Sequence, residues 1–107
     1  MRPRKQPPPE PPEHLSARSK ELWRELVRRR ADSAERQALL LAGLEDLDRV
    51  AVMRELIARD GVMLTSRRSG LSRVHPAVKL ETDARRRFVR IWKTLGLNWP
   101  AGIGFSA

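Results

Sequence analysis

The sequence predicts a mainly α-helical fold: a helical hairpin plus a third helix, with a short β-hairpin or extended loop between helices 2 and 3. Two observations carry this. Apolar residues recur at helical spacing in three blocks, each opened by a capping signal and closed by Gly or a run of Arg. Between the last two blocks, a short stretch alternates apolar and polar side chains as a strand does. At 107 residues the chain is sized for one domain. Its expected organisation is a disordered basic Pro-rich arm (1–14), a helical domain (15–96) and a flexible C-terminal tail (97–107).

The arm, Met1 to Glu13, holds six of the eight prolines, which remove backbone donors and fix φ, so neither helix nor central strand forms there. Ser16 is placed to cap helix 1, about Ala17 to Arg30. Leu22, Trp23, Leu26 and Val27 make its apolar face. Glu21→Arg24 and Glu25→Arg28 are favourable i,i+3 pairs on its wet side. Arg28, Arg29 and Arg30 suit the negative end of a helix dipole.

Asp32-Ser-Ala-Glu35 reads as a capping box, with Asp32 as the cap of helix 2, about Ser33 to Asp60. At 1.5 Å per residue that helix is about 40 Å long. Leu40, Leu44, Leu47, Ala51 and Ala58 share an arc of about 60°, which Leu39, Val50 and Ile57 widen. Leu41, Val52 and Leu56 lie on the far side among Glu45, Arg49 and Arg59. A helix apolar on two faces needs a second partner, most simply another subunit, so these three are the expected oligomerisation residues. Asp46 and Asp48 look like paired carboxylates but point in different directions, which argues against a shared metal ion.

Gly61 is suited to follow the helix in the αL conformation. Val62 to Thr65 and Leu71 to Val74 then read as two short strands around the turn Ser66-Arg-Arg-Ser-Gly70. An isolated hairpin of this kind is marginal and must lean on helices. His75-Pro76 opens helix 3, which Gly96 stops. His75 reads as a cap or turn residue. Ala77, Leu80, Ala84, Phe88, Ile91 and Leu95 form the apolar face. Lys79, Arg86, Arg90 and Lys93 fall in an arc of about 60° on the opposite side, flanked by Arg85 and Arg87. The tail carries Trp99, Ile103 and Phe105 as hydrophobic anchors for a partner.

Charge is segregated along the chain. Residues 1–30 carry nine basic and four acidic side chains, residues 31–60 four and seven, and residues 61–107 nine and two. The net charge is +9. Basic ends around an acidic middle point to a polyanion at the ends and packing in the middle. With no Cys there is no disulfide framework, thiolate nucleophile or Cys-rich zinc site. No apolar run approaches the roughly 18 residues of a membrane span, and no apolar segment follows the basic N-terminus as in a secretory signal. No P-loop, HExxH or DxDxDG pattern is present. The expectation is a non-enzymatic chain without cofactor, metal, membrane or small-molecule substrate.

The order of these features resembles the phage terminase small subunits of siphophages and prophages. The matching segments begin with Pro12-Glu-His-Leu-Ser-Ala-Arg-Ser-Lys-Glu-Leu-Trp23 after the Pro-rich arm. They continue through Leu39-Leu-Leu-Ala-Gly-Leu44, Asp48-Arg49 and Asp60-Gly-Val-Met-Leu-Thr65. The last are His75-Pro-Ala-Val-Lys-Leu-Glu81, Arg85-Arg-Arg-Phe88 and Leu95-Gly-Leu97. The resemblance covers about residues 10–97 and is most specific at the His-Pro-Ala segment. It implies a ring-forming, non-catalytic subunit in the bacterial host cytoplasm that binds the packaging site on double-stranded viral DNA. It also implies delivery of that DNA to the large terminase subunit, which holds the ATPase and nuclease. On this reading the DNA-contacting residues are Arg2, Arg4 and Lys5 of the arm, Arg67 and Arg68 of the turn, and Lys79, Arg86, Arg90 and Lys93 of helix 3. The alternative is a small basic DNA-binding regulator or antitoxin-like protein with a disordered arm.

Overall fold

A computed structural model describes residues 8–97. The elements run α1 (Ala17–Arg29), α2 (Ala34–Asp60), β1 (Met63–Thr65), β2 (Ser72–Val74) and α3 (Pro76–Thr94). The caps explain the boundaries. The Ser16 side chain accepts from the Ser19 N–H and starts α1. For α2 the expected frame shifts by one residue: Ser33, not Asp32, is the cap, accepting from the Arg36 N–H. This leaves Glu35 in the first turn, where its charge faces the positive end of the dipole. His75 caps α3 through its ring, with Nδ1 accepting from the Ala77 N–H at 3.0 Å and Pro76 in the first turn.

The exits differ from one another. Gly96 has φ 74°, its N–H donates to the Lys93 carbonyl, and the Leu97 N–H donates to the Trp92 carbonyl. This is the Schellman arrangement, completed by Leu97 packing against the core. Gly61 departs from the αL expectation: φ is 84° but ψ is 160°, an extended region open in practice only to glycine. The chain therefore leaves α2 directly into β1.

α2 and α3 lie antiparallel, and a ladder of contacts fixes their register. From one end to the other it pairs Arg36 with the Leu95 carbonyl at 2.7 Å, Asp46 with Arg87 at 3.1 Å, Arg54 with Glu81 at 3.3 Å and Asp60 with His75 at 3.0 Å. Gly43 is a point of close approach, since a Cβ there would stand 3.0 Å from Cγ2 of Ile91. α1 packs back against the first half of α2. Asp48 accepts from the Ser16 N–H, the Ser16 hydroxyl and the Ser19 hydroxyl at 2.8, 2.7 and 2.6 Å. His14 meets Glu45 at 2.8 Å beside it. Asp46 and Asp48 do diverge, and each ties a different helix to α2.

The core gathers where all three helices meet: Leu15, Trp23, Leu26, Val27, Ala31, Leu40, Leu44, Leu47, Phe88, Trp92 and Leu95. Phe88 and Trp92 stack with ring centroids 4.6 Å apart. At one end of this core, Arg36 donates to the carbonyls of both Arg30 and Leu95, satisfying the last turns of α1 and α3 with one guanidinium.

Two packing expectations need correction. Ala51 and Ala58 are exposed, because they lie on α2 beyond the Ser16–Asp48 contact where α1 begins. Leu80 is 54 % exposed, and Trp92 takes its place in the buried face of α3. Residues 8–14, assigned to the arm, are held in part: the Trp23 indole N–H donates to the Pro9 carbonyl at 2.8 Å, and the Leu15 N–H to the Pro12 carbonyl at 3.3 Å. On α1, Glu25 pairs with Arg29 at 3.1 Å, the i,i+4 neighbour, rather than with Arg28.

The β-hairpin projects from the far end of the α2–α3 pair. β1 and β2 are antiparallel in the register Met63↔Val74, Leu64↔Arg73, Thr65↔Ser72. Only Leu64 is half-buried; the other strand residues are exposed. The expected lean on helices is slight, and Val62, Met63, Leu71 and Val74 face outward.

Candidate nucleic-acid interface

Helix α3 divides its surface cleanly. Ala77, Glu81, Ala84, Phe88 and Trp92 are buried, whereas Lys79, Arg86, Arg90 and Lys93 are exposed. The four cations run along about 21 Å of the helix, at 1.5 Å per residue. None has a carboxylate partner among the described residues. Asp83 borders the row between Lys79 and Arg86. The flanking cations are otherwise engaged. Arg87 donates to Asp46 through Nε and Nη2 at 3.2 and 3.1 Å, and Arg85 lies 3.8 Å from Glu81.

The Asp46 carboxylate is almost fully buried and takes a second cation, Arg49, at 3.0 Å. Burying a carboxylate is costly unless charge and hydrogen bonds compensate it, and two guanidiniums do so here. Asp46 and Asp48 of the acidic middle are thus engaged in helix–helix ties, while Lys79, Arg86, Arg90 and Lys93 of α3 have no carboxylate partner among the described residues. Sequence reasoning missed this use of Asp46 and Asp48, and it missed Ser19, a fully buried residue one turn before Trp23. A small polar residue on an apolar face was the available signal.

Arg67 and Arg68 are exposed at the hairpin tip. The Ser66 side chain shapes this turn, accepting from the N–H groups of Arg68 and Ser69 at 3.3 Å each. The Gly70 N–H closes it on the Ser66 carbonyl at 2.8 Å, with φ 73° at Gly70. Arg2, Arg4 and Lys5 lie outside the described residues, as do Trp99, Ile103 and Phe105. The structure thus brings the α3 cations into one row and sets the turn arginines at a separate tip.

Of the expected oligomerisation residues, Leu41 packs against the protomer's own core. Val52 is 49 % exposed and Leu56 is half-buried, both on the stretch of α2 that α1 does not reach. At the base of the hairpin, the Arg59 guanidinium and then the His75 ring hold the Asp60 carboxyl well below the usual carboxylate range. Because His75 Nδ1 accepts from the Ala77 N–H, Nε2 carries the proton toward Asp60.

Among the described residues no cluster of three or more His, Cys, Asp or Glu side chains is placed to hold a metal ion. No described helix is long and apolar enough to cross a membrane. Residues 17–101 match the family model described as phage terminase, small subunit, a span that includes all three helices. The chain belongs to this family. No curated protein and no solved structure matches it. In this terminase small subunit the cationic row of α3 and the hairpin tip are exposed charged features of the domain's C-terminal half.

Proposed function

We propose that this terminase small subunit is the non-enzymatic DNA-recognition component of a phage packaging machine. It self-associates into a ring, binds the packaging site on double-stranded viral DNA and hands that DNA to the large subunit, which carries the ATPase and nuclease. The observation that carries the DNA reading is the α3 row of Lys79, Arg86, Arg90 and Lys93, exposed opposite the helix's buried face and without a carboxylate partner among the described residues. Arg67 and Arg68 at the hairpin tip, and Arg2, Arg4 and Lys5 of the arm, add contacts. Such cations read phosphates, which fix position without reporting base sequence, so site choice rests on DNA shape or bending.

Self-association is supported by apolar surface at the hairpin end of the molecule. Val52, Val62, Met63, Leu71, Val74 and Leu80 are each about half or more exposed. Val52 and Leu56 of the expected set adjoin this surface, whereas Leu41 is already engaged within the protomer.

Two measurements test the reading. Light scattering at micromolar concentration in physiological salt should return a multiple of the 12.3 kDa chain mass; a monomer overturns the ring. DNA affinity should fall steeply with salt, and changing Arg86 and Arg90 together to Ala should flatten the log–log slope by about two. An unchanged slope would mean that the α3 row is only a solvated face.

A further inference from the structure

Helix α2 carries a face that its own protomer leaves open. Its buried residues, Leu40, Gly43, Leu44, Leu47 and Val50 among them, lie on one arc. Ala38, Ala42, Glu45, Arg49, Val52 and Leu56 fall on the opposite side, within an arc of about 80° at about 100° per residue. Ala38, Arg49 and Val52 are exposed, and Ala42, Glu45 and Leu56 are half-buried. A helix that is apolar on opposite faces has a second face to cover.

The order of side chains along this open face is self-complementary. Apolar residues flank a central pair of opposite charges: Ala38 and Ala42, then Glu45 and Arg49, then Val52 and Leu56. Two copies laid antiparallel bring Glu45 of each opposite Arg49 of the other. The same alignment sets Ala38 opposite Leu56, and Ala42 level with Val52 and Met53. Laid parallel in register, the face would instead place Glu45 on Glu45 and Arg49 on Arg49, and the like charges would repel. Both charged groups are within a partner's reach. The Arg49 side chain is 59 % exposed while donating Nη1 to Asp46, and the Glu45 side chain is 34 % exposed while meeting His14 through Oε2. From Ala38 to Leu56 the face runs about 27 Å along the helix, at about 1.5 Å per residue.

We propose that two copies of this chain pair through α2, antiparallel about a two-fold axis at the level of Leu47, with Glu45 of each copy bound to Arg49 of the other. The apolar residues on either side supply the burial, and the central charges set register and direction. This inference rests on the self-association reading above and gives it a face and an orientation. An isologous contact is complete at two copies, so it joins subunits without itself closing a ring. Met63, Leu71 and Val74 at the hairpin end stay exposed for a separate contact.

The experiment exchanges charges in the full chain. Glu45→Arg alone, or Arg49→Glu alone, sets like charges across the axis twice and should weaken association about ten-fold or more, read by light scattering over a concentration series. An equimolar mixture of the two variants restores opposite charges at both contacts and should return to within about three-fold of the native affinity. A second test leaves the charges alone and decides the matter if charge reversal unfolds the protomer. The chain has no Cys, so Ala38→Cys and Leu56→Cys each introduce a single thiol. A short thiol-reactive cross-linker should join the Ala38→Cys chain to the Leu56→Cys chain in a mixture, and should join neither chain to itself. Folded variants that associate as the native chain does overturn the pairing. An Ala38→Cys chain that cross-links to itself, or a mixture that does not cross-link, overturns the antiparallel register. If either result appears while the native chain still returns a multiple of its own mass, the self-association reading stands and this inference alone fails. A native chain that is monomeric overturns both.

Discussion

The α2–α3 pair has two halves that differ in what covers them. In the first half, α1 lies across both helices, and Phe88, Leu40, Leu44 and Leu95 are fully buried. In the second half, α1 has ended, and the hairpin points away from the helices rather than over them. The same two helices therefore serve as a core at one end and as an apolar surface at the other. The difference teaches that the second half of the long helix, about twelve residues beyond the Asp48 tie to α1, is covered by α3 alone.

The largest expected effect lies in the covered half. Phe88→Ala should destabilise the protomer by about 4 kcal/mol, read by chemical denaturation, because a fully buried ring leaves a cavity between tightly packed helices. A loss below about 1 kcal/mol would mean that the covered half is not the stabilising unit. Next comes the tie that seats α1. Asp48→Ala removes three hydrogen bonds to the start of α1 and should cost about 2 kcal/mol, with earlier loss of amide protection in α1 than in α3.

The uncovered half should behave in the opposite way. Met63→Ser with Val74→Ser, an exposed cross-strand pair, should shift protomer stability by less than about 0.5 kcal/mol while lowering the mass seen by light scattering. A large stability loss with unchanged mass would erase the distinction between the halves. The smallest effect concerns acid. The Asp60 carboxyl is held low by Arg59 and His75, so its contribution is complete above the ordinary carboxylate pKa of about 4 and fades as pH falls through its depressed value. Asp60→Asn should flatten that acid limb of the stability profile slightly, without changing stability's dependence on pH above neutrality.

The sequence made helix identity and ends legible because those signals are local. Ser16, His75-Pro76 and Gly96 act on backbone groups within a turn of themselves, and each does in the structure what its chemistry requires. Ser33 displaced Asp32 because two capping side chains stood side by side and only the folded geometry chooses between them. Partner choice was not legible. Periodicity showed that α2 is apolar on more than one face, but not that α1 would cover only the first half and leave the second to α3 alone. Ala51 was misplaced for that reason, since it lies beyond α1. The α3 row was legible as a row, since helical spacing alone groups Lys79, Arg86, Arg90 and Lys93. That Arg87 would be taken by Asp46, or Trp23 by Pro9, depends on contacts between residues 41 and 14 positions apart.

The single guanidinium of Arg36, bonded to the ends of both α1 and α3, gives the protomer a polarity. Pro8 stands by the last turn of α1 and Leu97 follows the last turn of α3, so both flanking segments depart from the Arg36 pole. The hairpin, with Arg67 and Arg68, occupies the other pole. Copies arranged side by side with a common orientation would carry every Pro8 and Leu97 on one rim and every hairpin on the other. A reporter attached at Pro8 or Leu97 would then mark the same rim, and one attached at Arg68 would mark its opposite.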